Sequence, residues 1–331
     1  MESPLQPPVP SQRILVIAED PGLREKLAAA VQAGGGIPVR AAGLAELEGP
    51  QIQHRLVVYA FDGRPEALQQ IAPRLRESAQ LVAVTPKPTH NDARRILAEQ
   101  MALLSDLHCN HVLTADERGM WLLQVTASKF VSGDLFGIEK YLPPGADVHL
   151  TRLRDFQGRR NAIDEVVDFA ARRGVRGTVC RAVAEVCDEL LMNALYDAPV
   201  DDTGMPLFHD VDVKDRLDKL SPRPVSIRYA VTEDQFAISV RDRFGRLEKP
   251  TILRFITKCL QSGDQIDRKV YGAGLGIYLI ANRATHYIVN IAPGVATEVL
   301  CTFDRGVRQP LRALSIFLYP GPPPGQPAGK G

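Results

Sequence analysis

The segment VCRAVAEVCDELLMNALY, residues 179–196, carries apolar side chains at Val183, Cys187, Leu190, Leu191 and Ala194, the spacing of one buried face of an α-helix. On the neighbouring stripe Glu185, Glu189 and Asn193 recur at i, i+4 and i+8, so a carboxylate and an amide stand one turn apart. A carboxylate so placed can take a proton from an attacking hydroxyl or water. An amide oxygen can complete the all-oxygen shell that Mg²⁺ adopts on a nucleotide. Because such stripes are also the ordinary solvated face of a helix, the flanking sequence has to arbitrate.

Downstream, Val225, Ile227 and Tyr229 and then Phe236, Ile238 and Val240 alternate as in an antiparallel hairpin, and the second strand runs directly into Asp242-Arg243-Phe244-Gly245. A carboxylate at a strand end beside a glycine turn can accept a hydrogen bond from an exocyclic amine. Next, Gly272-Ala273-Gly274-Leu275-Gly276 opens the apolar helix expected from Ile277 to Ala284. Glycines at the mouth of a helix let backbone N–H groups approach phosphates. A dinucleotide fingerprint would need a strand before these glycines, and the polar stretch Gln261 to Lys269 stands there instead. Tyr287 to Ile291, the turn Ala292-Pro293-Gly294 and Thr297 to Phe303 read as a closing hairpin. Upstream lie a strand, Val148 to Leu153, and a helix with Ile163, Val166, Val167 and Ala170 on one face, stopped at Arg172-Arg173-Gly174.

In order and spacing, residues 148–305 resemble the GHKL ATPase superfamily of histidine kinases, gyrase and heat-shock chaperone ATPases. Glu189-Leu190-Leu191-Met192-Asn193-Ala194 resembles its N box, Asp242-Arg243-Phe244-Gly245 its G1 box and Gly272-Ala273-Gly274-Leu275-Gly276 its G2 box. The resemblance implies an α/β-sandwich with a mixed sheet that binds ATP and Mg²⁺. It further implies that Glu189 is the general base, Asn193 the Mg²⁺ ligand, Asp242 the adenine reader beside Gly245, and Thr297 a second adenine contact. Gly272, Gly274, Leu275 and Gly276 would line the phosphates, with Arg268 and Lys269 placed to pair with phosphate oxygens or to form a solvated loop. The sequence departs from the family where Phe244 and Arg246 replace the usual G1 glycines, and where Tyr196 replaces the Lys or Arg of histidine kinases.

Ahead of this lies a different pattern. Ile14-Leu15-Val16-Ile17, Leu56-Val57-Val58-Tyr59, Leu81-Val82-Ala83-Val84 and His111-Val112-Leu113 are continuous apolar runs separated by helical stretches, the pattern of a doubly wound parallel α/β sheet. Residues 12–125 resemble response-regulator receiver domains, with Glu19 and Asp20 closing the first strand and Thr85 the fourth. That family's phosphoacceptor position falls on Ala60 and its lysine on Thr114, the nearest carboxylate being Asp62. Asp62 shares a strand face with Ala60, so a register shift could bring it into an acidic pocket with Glu19 and Asp20. The expectation is a pseudo-receiver used for docking or dimerisation.

The chain has 331 residues with Lys+Arg 40 against Asp+Glu 39, a net charge of +1 that argues against a dedicated nucleic-acid binder. The Pro-rich residues 1–11 read as a disordered tail, 126–147 as a linker containing Val131 to Gly137, and 306–331 as an extension ending in a Pro/Gly tail. With neither a leader-like N-terminus nor a long apolar run, the expected setting is cytoplasmic and away from membranes. The five cysteines form no CxxC pair, and Cys180 and Cys187 fit core packing.

No histidine meets the requirements of an autokinase. His209 alone is followed by an acid, Asp210, and it lies past the N box. The short lead-in to that box instead resembles the anti-sigma-factor serine kinases, implying an ATP-dependent kinase of a serine or threonine on a regulatory partner such as an anti-sigma-factor antagonist or a phosphorelay protein. A homodimer is compatible with this reading. The alternative is a non-catalytic signalling adaptor, a pseudo-receiver joined to a degenerate ATPase fold.

Overall fold

The computed structural model describes residues 12–60, 66–88, 92–201, 203–208, 220–261, 275–306 and 311–318. These form a mixed α/β chain with both parallel and antiparallel strand pairing. It divides into two compact units, Met1–Asn91 with Ala98–Leu135 and Arg312–Leu314, and Asp92–Leu97 with Phe136–Leu311 and Ser315–Gly331.

The first unit contains β1 (Arg13–Ile17), α1 (Pro21–Ala33), β2 (Ile37–Ala41), β3 (Leu56–Ala60), α2 (Glu66–Ile71), β4 (Gln80–Thr85), most of α3 (Ala93–Leu104), β5 (Cys109–Thr114) and α4 (Glu117–Ser132). Its strands lie in the order β2-β1-β3-β4-β5 and every pairing is parallel. Leu15, Val16, Val57, Val58, Leu81 and Val82 are buried, which is why these strands read as unbroken apolar runs. β2 did not stand out in the sequence because it is an edge strand, half-exposed and carrying Pro38.

The second unit contains β6 (His149–Leu153), α5 (Phe156–Arg172), α6 (Gly177–Met192), β7 (Val225–Val231), β8 (Gln235–Arg241), α7 (Lys249–Gln261), α8 (Leu275–Arg283), β9 (His286–Ala292) and β10 (Ala296–Asp304). The strand order is β9-β10-β8-β7-β6, antiparallel at each junction. The two expected hairpins are β7–β8 and β9–β10. A further strand, β11 (Ala313–Leu318), falls in the stretch read as an extension.

On α6, Val183, Val186, Cys187 and Leu191 are fully buried. At about 2 kcal/mol per buried side chain, this stripe outweighs the few tenths that polar pairs along the helix contribute. Packing against the sheet, not helix propensity, therefore sets the direction in which Glu189 and Asn193 project.

Side chains alternate across the second sheet. Tyr229, Ile238 and Cys301 share the face that meets α5, where the Tyr229 hydroxyl donates to Glu165 at 2.7 Å and its ring packs edge-on against Phe169. On the opposite face lies the segment following Leu135. The Arg241 guanidinium stacks on the Phe136 ring at 4.0 Å. Glu298 accepts from the Gly137 N–H and from Asn290 Nδ2, each at 2.9 Å, and Arg228 pairs with Glu139. The stretch expected as a linker is thus the end of α4 followed by a segment laid on the sheet. No described helix is long and apolar enough to cross a membrane.

Candidate functional site

α6 gives way at Asn193 to a five-residue π-turn, Asn193–Asp197, closed by Ala198 N–H donating to Asn193 O at 2.8 Å. Turns of this kind break a helix where a side chain must leave the regular stripe, and they cluster at functional sites. Asn193 itself stays anchored through its backbone N–H to Glu189 O and Leu190 O, one turn beyond Glu189. Its half-buried side chain makes no hydrogen bond among the described residues. Glu189 is also half-buried.

α8 runs alongside α6 and meets it at both ends. Arg283 Nε lies 2.7 Å from Glu185 Oε2, an ion pair whose alignment falls short of a hydrogen bond. At the other end Gly276 is buried so tightly that a Cβ there would stand 2.1 Å from Glu189 Oε2. The structure therefore brings Glu189 together with one glycine of the G2-like run.

Asp242 continues β8, its N–H donating to Thr297 O on β10 at 2.9 Å. The residue is 6% exposed, and one carboxylate oxygen, Oδ1, accepts from Phe244 N at 2.7 Å, Gly245 N at 3.1 Å and Thr297 N at 3.3 Å. Burial pushes its pKa above the usual carboxylate range, opposed by those three N–H groups. Oδ2 accepts no hydrogen bond among the described residues. The buried Thr297 hydroxyl lies close enough to favour the ionised carboxylate, yet makes no hydrogen bond of ordinary geometry. A carboxylate oxygen with spare acceptor capacity beside a hydroxyl fits a ligand offering an N–H donor, an exocyclic amine among them.

Gly245 explains why the turn keeps a glycine after Phe244. It sits at φ +64°, and a Cβ would come 2.2 Å from Ala292 O in the β9–β10 turn. Phe244 is buried at 3% exposure with the Arg223 guanidinium 5.2 Å over its ring, and Arg223 donates to Arg243 O at 2.6 Å. The bulky ring is thus absorbed into the core.

No family model and no curated protein sequence matches the chain. Arg268, Lys269, Gly272 and Gly274 lie outside the described residues, as does the side chain of Leu275, whose backbone opens α8. Tyr196 is buried inside the π-turn, its hydroxyl without a hydrogen bond among the described residues and its pKa raised by burial, with Arg159 opposing and Asp155 adding. The cysteines are all buried, and burial raises the thiols of Cys180, Cys187, Cys259 and Cys301, which argues against a thiolate nucleophile among these four.

At the strand ends of the first unit, Glu19 and Asp20 are exposed, and Asp20 Oδ1 caps α1 by accepting from Leu23 N at 2.6 Å. Arg24 reaches back from α1 and donates to Ala18 O at 2.7 Å, setting a guanidinium beside the acidic pair. That charge disfavours a divalent cation at the pair. Ala60 and Thr114 are buried, and Thr85 donates to Leu113 O at 3.3 Å. Asp62 lies outside the described residues. Among the described residues no group of three or more His, Cys, Asp or Glu side chains is placed to hold a metal ion.

Sequence reasoning missed two features. Arg24 lies one helical turn beyond Asp20, and its reach back to Ala18 O at the strand end is a contact that no local pattern announces. Glu298 sits inside the apolar run Thr297 to Phe303, an interruption that marks a buried polar contact but not its partner, Gly137.

Proposed function

We propose that the chain is a signalling protein whose second unit is a GHKL-type domain that binds ATP with Mg²⁺ and transfers phosphate to a serine or threonine of a regulatory partner. The first unit is proposed as a pseudo-receiver, its 2-1-3-4-5 strand order being that of flavodoxin-like sheets. The observation that carries this reading is the Asp242 carboxylate, whose Oδ1 is spent on the turn and on Thr297 while Oδ2 keeps its acceptor capacity beside the unpaired Thr297 hydroxyl. An adenine amine supplies the missing donor.

In the proposed reaction the partner's hydroxyl oxygen bonds to the γ-phosphorus, the bond from that phosphorus to the β–γ bridging oxygen breaks, and the hydroxyl proton passes to Glu189. Asn193 would hold Mg²⁺, which when bound would supply neutralisation of phosphate charge. Catalysis of this kind is mostly positioning and electrostatics, so where the base and the adenine contact are held is what the chain must fix. Calorimetric titration with ATP, with and without Mg²⁺, tests the reading. Binding that is lost in Asp242→Asn supports it, and a protein that takes up no nucleotide defeats it.

One observation favours a second reading. Arg24 beside Glu19 and Asp20 suits a first unit that acts only as a surface, and an adaptor would need no transfer. ATP binding without any phosphoryl transfer to candidate partners, in a protein equally active when carrying Glu189→Ala, selects it.

A further inference from the structure

Resting on the reading of Glu189 as the base, we infer that Gly276 is a positioning residue for it. The carboxylate of Glu189 occupies the space a Cβ would fill at Gly276, with Oε2 at 2.1 Å, the carboxyl carbon at 2.9 Å and Glu189 Cβ at 3.4 Å from that point. Only a residue without a side chain lets the first turn of α8 approach the carboxylate so closely. A further contact between the helices, the Arg283–Glu185 ion pair, lies toward the other end of α8. Glu189 is therefore confined from one side by its own helix and from the other by the backbone at Gly276.

The contact separates positioning from folding. The atom that an added methyl would meet first is the far end of a flexible side chain, so the carboxylate moves aside while the backbone stays. Alanine is also the better helix former. The substitution Gly276→Ala thus displaces the base without unfolding the unit, and displacement of a reacting group by about 1 Å costs on the order of 10²-fold in rate.

The test uses the full chain. Wild type, Gly276→Ala, Glu189→Asp and the double variant are compared for ATP affinity by calorimetry, for ATP turnover or transfer to partner, and for thermal midpoint. The expected result for Gly276→Ala is turnover at saturating ATP reduced on the order of 10²-fold, well beyond any loss of ATP affinity, with a thermal midpoint equal or higher. Glu189→Asp withdraws the carboxylate by one methylene, so the double variant should turn over faster than Gly276→Ala alone. Gly276→Ala turnover near the wild-type rate overturns the inference, as does a loss of affinity that accounts for the whole loss of rate, or a double variant in which the two losses simply multiply. A wild-type protein that binds no ATP defeats the reading of the site itself, an outcome distinguishable from the others because it precedes any substitution.

Discussion

Two aspartates stand at carboxyl ends of strands in this chain and end up with opposite fates. Asp20, after β1, is exposed, and its Oδ1 caps α1 while Arg24 crosses back to the same strand end. Asp242, after β8, is buried, and its Oδ1 collects three backbone N–H groups while Oδ2 collects none among the described residues. A carboxylate at a strand end is ambiguous as a residue type. What separates a cap from a candidate ligand contact is a carboxylate set into the fold by its own turn with one oxygen left over for an incoming donor.

The largest difference between the two positions should appear on truncation. Asp242→Ala leaves buried N–H donors without an acceptor and is expected to cost about 3 kcal/mol of stability, measured by urea unfolding. Asp20→Ala removes one exposed cap and should cost about 1 kcal/mol. Equal costs would break the contrast. Gly245→Ala, which forces a side chain into φ +64° against Ala292 O, is expected to destabilise by roughly 2 kcal/mol, whereas the same substitution at Gly43, where a Cβ meets nothing within 4 Å, should be nearly neutral.

A subtler separation lies in pH. Burial raises the Asp242 pKa above the value the unfolded chain shows, so the folded state holds that proton more tightly. Its contribution is fully present below the unfolded carboxylate pKa and is lost as pH rises through the higher folded value. Asp242→Asn keeps an acceptor for the same N–H groups and removes the titration. The stability of the wild type relative to this variant should therefore rise as the solution is acidified through the raised pKa, a trend visible in unfolding curves at a series of pH values. The smallest effect concerns Arg24→Ala, which removes the guanidinium beside Glu19 and Asp20. It should leave ATP binding unchanged and slightly strengthen any weak Mg²⁺ binding by the acidic pair, as read by calorimetry.

Much of this architecture was legible in the residues. Strand runs such as Leu56 to Tyr59 and the stripe on α6 declared themselves because burial on both faces, or on one helical face, imposes a period on side-chain type. β2 and β11 did not, the first being a half-exposed edge strand and the second a short run directly before a Pro-rich stretch. At the candidate site, the types and order of Glu189, Asn193 and Asp242 could be read. That Asp242 spends half its carboxylate on its own turn, and that Gly276 abuts Glu189, depends on contacts between residues far apart in sequence, which no local pattern records. The π-turn at Asn193 was equally invisible, since Asn193 to Asp197 offers no glycine or proline to announce it.

β10 carries a constraint of parity. Thr297, paired through its N–H with Asp242, and Glu298, holding Gly137 and Asn290, are consecutive residues and so point to opposite faces of the sheet. Inserting or deleting a single residue between Ala292 and Ala296 that shifted the strand by one would exchange the two, putting a carboxylate among the side chains facing α5 and a threonine beneath Phe136. Only even shifts preserve both assignments, so length variation in this turn should occur in steps of two or be absorbed wholly within the loop.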